Sequence, residues 1–111
     1  MGKGDISVRL LARVKAQLII AHDEDDDLIR DFIRAAAGYA ESYQHRPAGW
    51  YSRRENAMPE TTRQAVVMLA GYFYESRDGS TGGFFGDNVG AGQAVWAAVN
   101  RLLALDRDWQ V

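Results

Sequence analysis

The feature that most limits what this chain can become is an apolar stripe at helical spacing between residues 25 and 44. Leu28, Ile29, Phe32, Ile33, Ala36, Tyr39, Ala40 and Tyr43 recur every three or four positions. That is the period of an α-helix with one wide buried face, not the two-residue alternation of a half-buried strand. Asp25, Asp26 and Asp27 open the segment, where carboxylates cap free N–H groups and complement the positive end of the helix dipole. Gly38 sits inside it at a cost of about 1 kcal/mol relative to alanine and is a candidate for a close helix crossing.

Three weaker segments accompany this helix. The spacing predicts a helix over 7–19, with Ser7 as N-cap and Val8, Leu11, Ala12, Lys15 and Leu18 along one side, the lysine stem lying over the stripe. A third is predicted over 59–77. Pro59 and Glu60 suit its first turn, Ala65, Val66, Met68, Leu69, Tyr72 and Phe73 form its inner face, and Asp78-Gly79 ends it. A fourth is predicted over 93–105 from Val95, Ala98, Val99, Leu102 and Leu103. With 111 residues, the chain is sized for one domain, 1–111. The expectation is an all-α fold, a small bundle of about four helices with two long loops. The stretch 48–54 leaves room for a short hairpin.

The loops draw attention because long connections in a small domain tend to carry function. Residues 45–58 hold Arg46, Arg53 and Arg54 around the adjacent aromatics Trp50 and Tyr51. Residues 79–92 hold six glycines and the pair Phe84-Phe85. Those seven side chains are the candidate partner contacts, since arginines and aromatics dominate interface energetics. Both loops are expected to order on docking, the glycines keeping the second one loose until then.

The remaining motifs carry little catalytic or metal chemistry. The chain has no cysteine and a net charge of −2, which excludes thiolate metal sites and gives no basic excess for nucleic-acid binding. No apolar run approaches the roughly 20 residues of a membrane span, and the polar start of the chain followed by an arginine-bearing amphipathic stretch leads us to expect a cytoplasmic product. The run His22-Asp23-Glu24-Asp25-Asp26-Asp27 invites a calcium loop. Counted from Asp23, its sixth and twelfth positions are Leu28 and Arg34, where an EF-hand needs glycine and glutamate. His22 and His45 flank the second helix about 35 Å apart and cannot share a metal within one subunit. The glycine-rich segment lacks the Lys-Ser/Thr that ends a phosphate loop. We expect no catalytic, cofactor or metal site. Two competing readings remain: a small helical DNA-binding protein of the helix-turn-helix sort, and a small metal enzyme built on the His22 region.

Residues 14–46 bear a lysine in the first helix (Lys15), an acidic link (23–27), an alanine-rich middle (35–37) and the ending Tyr39-Ala40-Glu41-Ser42-Tyr43. Residues 58–79 bear Pro59, Gln64-Ala65, Met68-Leu69, Tyr72 to Glu75 and Arg77. In this order the two blocks resemble the tailed-phage head–tail connector family. The chain departs from that family's pattern in carrying a long glycine-rich stretch before the last helix instead of a short proline-containing link. The resemblance implies a structural protein of the virion and not an enzyme. It implies a ring of many copies beneath the portal at the capsid vertex, extending the DNA channel and offering a surface to the next head-completion or tail protein. DNA would pass without sequence-specific binding. The place implied is the virion head–tail junction, reached from the bacterial host cytoplasm during assembly. The acidic start of the second helix and the arginine-bearing loop beyond its other end would then give the ring oppositely charged faces or supply complementary contacts between neighbours.

Overall fold

The structure, a computed structural model, describes residues 5–77 and 89–107. The fold is all-α, with no strand among the described residues. Its helices are α1 (Ile6–Leu18), α2 (Asp26–Tyr43), α3 (Glu60–Glu75) and α4 (Val89–Ala104). The stretch 48–54 is not a hairpin: Gly49, at φ 80°, turns the chain into a single 3-10 turn, Trp50–Ser52.

Helices α2 and α3 form the centre and run antiparallel, tied by Gln44 to Thr62 at one end and Asp25 to Tyr74 at the other. Ile29, Ile33, Ala36 and Ala40 of α2 are buried against Ala65, Val66, Leu69 and Ala70 of α3. Each large aliphatic side chain buried this way contributes roughly 1.5–3 kcal/mol. Helix α1 covers one side of the pair. Its Arg13 reaches Glu60 at the start of α3, and its Lys15 reaches Asp26 at the start of α2. Helix α4 covers the other side, where the Trp96 ring meets Tyr39, Tyr72 and Phe73 at centroid distances of 5.2, 6.0 and 6.2 Å.

Several expectations need correction. The N-cap of α1 is Asp5, whose carboxylate accepts from the Ser7 N–H at 2.8 Å; Ser7 lies inside the helix and is buried. The inner face of α1 is Ile6, Leu10 and Val14, with Leu11 and Leu18 at its edge, while Val8 and Ala12 face outward. Asp25 takes the N-cap position of α2 but makes no capping hydrogen bond; its carboxylate instead accepts from the Tyr74 hydroxyl. Gly38 marks no crossing, since a Cβ there would meet nothing within 4 Å. At Gly71 a Cβ would make an ordinary 3.5 Å contact with the Leu18 side chain; the close approach is at Gly92, where a Cβ would come within 3.2 Å of the Tyr72 hydroxyl. Helix α4 therefore begins at Val89 rather than near 93, taking Gly90 and Gly92 into its first turns. Pro59 is the extended residue ahead of α3, which stops at Glu75. Asp78-Gly79 lies outside the described residues.

Helices α1 and α2 end in the same pattern. The N–H groups of Ile19 and Ile20 return to Ala16 and Lys15, and those of His45 and Arg46 return to Ser42 and Glu41. This double closure satisfies the last free carbonyls and requires a residue in the left-handed region, usually glycine. Here that residue is Ile19 at φ 58° and His45 at φ 63°.

Candidate assembly interface

The arginine-bearing loop after α2 is held in one shape by a buried carboxylate. Glu41 is 4% exposed and accepts from the Gly49 and Tyr51 N–H groups, both at 3.0 Å. Two backbone donors on one carboxylate compensate its burial, which would otherwise be costly. Other helices grip the same loop. Arg9 of α1 donates to the Tyr51 carbonyl at 2.8 Å, the Ile6 N–H donates to the Ser52 hydroxyl at 3.1 Å, and Arg63 of α3 donates to the Met58 carbonyl at 3.0 Å. This loop is thus fixed within the subunit, contrary to the expectation that it orders only on docking.

Beneath it lies a buried polar network. The Tyr51 hydroxyl donates to the Gln44 carbonyl oxygen, and the Gln44 amide donates to the Thr62 hydroxyl and the Leu103 carbonyl at 2.8 and 3.1 Å. Thr61 and Thr62 both donate to Asp106. Four elements meet at Gln44, so the loop, the end of α2, the start of α3 and the end of α4 share one set of hydrogen bonds. Burial pushes the Tyr51 phenol above the ordinary tyrosine value. Tyr51 was expected at a partner surface, but it is 1% exposed and serves the core.

The other candidates of this loop do reach the surface. Arg46 stacks on Trp50, with its guanidinium carbon 5.2 Å from the ring centroid, and both are half-buried. Arg53 and Arg54 are exposed at the tip. Phe84 and Phe85 lie outside the described residues.

Arg54 opens onto a groove that the sequence did not announce. Helix α1 contributes Arg9 and Arg13, α3 contributes Arg63, and the loop contributes Arg54, around a volume of about 410 Å³. Its floor is Ile6, Leu10 and Met58. Two of the groove arginines hold Glu60, Arg13 at 2.6 Å and Arg63 at 3.0 Å. The Arg13 hydrogen bond is the main reason its carboxyl lies below the usual glutamate range. Arg54 has no partner among the described residues.

The second charged surface is the turn between α1 and α2. Lys15 binds Asp23 and Asp26 at 2.7 and 2.8 Å, which raises the lysine pKa and lowers that of Asp23. Asp27 pairs with Arg30 one turn along. The four aspartates of the acidic run are thus spread over Lys15, Arg30 and Tyr74. Among the described residues, no group of three histidine or acidic side chains comes together as a metal site.

Sequence reasoning missed Glu41, Gln44 and the groove. The first two had a signal: Ala37, Glu41 and Gln44 are four and three residues apart, which puts both polar residues on the inner face of α2. The groove had none, because its arginines come from three separate segments.

No helix among the described residues is long and apolar enough to cross a membrane. No curated protein and no solved structure matches the chain. One family does match, described as phage gp6-like head-tail connector protein, over residues 9–93. That span runs from the first turn of α1 into α4 and includes the Glu41-held loop and the groove arginines, so the chain belongs to the phage gp6-like head-tail connector family.

Proposed function

We propose that this protein is a ring-forming head–tail connector subunit, with 1–111 acting as one connector domain. The ring docks under the portal, extends the DNA channel and presents a surface to the next head-completion or tail protein. It works at the virion head–tail junction after assembling in the host cytoplasm. The observation that carries this reading is the family match across most of the chain. The groove and the acidic turn support it, being two different surfaces on one subunit. Contacts between unlike surfaces build rings whenever the rotation per subunit closes. The net charge of −2 is compatible with DNA sliding past without being held.

Size-exclusion chromatography with light scattering, followed by negative-stain microscopy alone and with purified portal, tests the proposal. Rings with a central hole, free or on the portal, are expected. A chain that neither self-associates nor binds portal would overturn it. The second reading, a helical DNA-binding protein, draws on the four groove arginines. It predicts salt-sensitive DNA binding by the isolated chain.

A further inference from the structure

Of the two non-glycine residues in the left-handed region among the described residues, Ile19 is the more costly. It is β-branched, adopts φ 58° and is 91% exposed. A left-handed conformation is costly for such a residue, and its side chain gains almost no burial in return. Strain of that kind, held where nothing inside the subunit uses the side chain, points to a use outside it. Ile19 does not stand alone. Leu28 is also exposed, and between the two lie Asp23, Glu24 and Asp27, whose carboxylates reach solvent. The α1–α2 turn therefore exposes an apolar knob, Ile19, followed along the chain by exposed carboxylates.

The groove at the other end of α1 is its complement, an apolar floor under Arg9, Arg13, Arg54 and Arg63. We propose that the groove receives the α1–α2 turn of a second copy of this chain, Ile19 entering over Ala57 and Met58 and the carboxylate of Glu24 meeting Arg54. The proposal rests on reading the protein as a self-assembling connector. The groove suits an apolar side chain flanked by a single carboxylate better than a DNA backbone. Arg13 and Arg63 are already paired with Glu60, so Arg54 is the cation left for a new anion. The floor is apolar, which favours an isoleucine over a sugar–phosphate run. Knob and groove lie at opposite ends of α1, about 15–20 Å apart for a helix of this length. One copy can therefore hold a neighbour at each end.

The absence of cysteine allows a clean test. Full-length chains carrying Ile19→Cys and Ala57→Cys are mixed with a short bis-maleimide and analysed by mass spectrometry. The expected product is the mixed cross-link, with far less of either homodimer. In parallel, sedimentation velocity follows two charge reversals, Arg54→Glu and Glu24→Arg. Each alone should weaken self-association by about tenfold, since like charges then face each other. Mixed one to one they should recover it, because each altered surface meets its opposite. Circular dichroism verifies that both variants fold; both positions are exposed.

Rings that form without the mixed cross-link overturn the knob-and-groove contact while leaving the connector assignment intact. A chain that stays monomeric at every concentration overturns self-docking, and portal binding then decides the connector assignment separately. Salt-sensitive DNA binding lost in Arg54→Glu, with self-association unchanged, assigns the groove to nucleic acid instead.

Discussion

Replacing Ile19 by glycine should stabilise the subunit, although it deletes a large aliphatic side chain. The left-handed conformation costs an L-residue roughly 1–2 kcal/mol, and glycine relieves it. Against this, glycine loses about 0.5–1 kcal/mol more backbone freedom on folding. The lost side chain matters little, because Ile19 is 91% exposed and the apolar neighbour packed on the core is Ile20. The net gain is about 0.5–1 kcal/mol, or roughly 2–6 °C in Tm for a domain of this size. Urea titration and thermal circular dichroism at low micromolar concentration, where association is minimal, measure it. A destabilisation beyond about 0.5 kcal/mol, at the edge of what a neutral surface change produces, would refute the reasoning. It would mean that the Ile19 side chain is covered within the subunit. The same variant should assemble less well, so stability and association should move in opposite directions.

Gly38→Ala should also stabilise, by about 1 kcal/mol from helix propensity alone, because a Cβ there meets nothing within 4 Å; the check is the shift in urea midpoint at constant slope. Glu41→Gln should destabilise by about 1–3 kcal/mol, since an amide N–H replaces one of the two acceptors and leaves a loop N–H unsatisfied. Trypsin cleavage after Arg53 and Arg54 should then quicken, which reports on the loop rather than on the fold. Acid should weaken the subunit through Asp5, Asp23 and Glu60. For Asp5, burial raises the pKa but is outweighed by the Ser7 N–H and Arg34. For Asp23 and Glu60, hydrogen bonds from Lys15 and Arg13 lower it. Carboxyls with depressed folded values add stability above the ordinary carboxylate range and lose it as pH falls through those values. Tm should therefore hold between about pH 5 and 8 and fall below about 4, with a shallower fall in high salt.

Much of the helical frame could be read from spacing, because an apolar stripe decides which residues can be buried without knowing their partners. Helix α2 is the clearest case: Ile29, Ile33, Ala36 and Ala40 are all inside. Helix α1 shows the limit. Its stripe through Val8 and its true face through Ile6, Leu10 and Val14 both have helical spacing. Only the positions of α2 and α3 choose between them. The start of α4 was hidden because Gly90 and Gly92 read as loop by propensity, whereas a Cβ at 92 would sit 3.2 Å from the Tyr72 hydroxyl, a tight fit that favours glycine within the helix. Glu41 and Gln44 were hidden by polarity, because a hydropathy pattern sends such residues to solvent. Their burial depends on the backbone donors of Gly49 and Tyr51 and on the hydroxyls of Tyr51 and Thr62. Tyr51 failed for the reverse reason: next to arginines in a loop it looks like a contact, yet Gln44 gives its hydroxyl a partner inside.

The loop around Trp50 is gripped by the N–H groups of Gly49 and Tyr51, the carbonyls of Tyr51 and Met58, and the side chains of Tyr51 and Ser52, none of these grips being a side chain of residues 53 and 54. Its shape is thus specified without reference to what residues 53 and 54 are. A frame of this kind separates folding from recognition. Side chains at the tip can vary while the path of the chain stays fixed, with no change to the bundle that carries them.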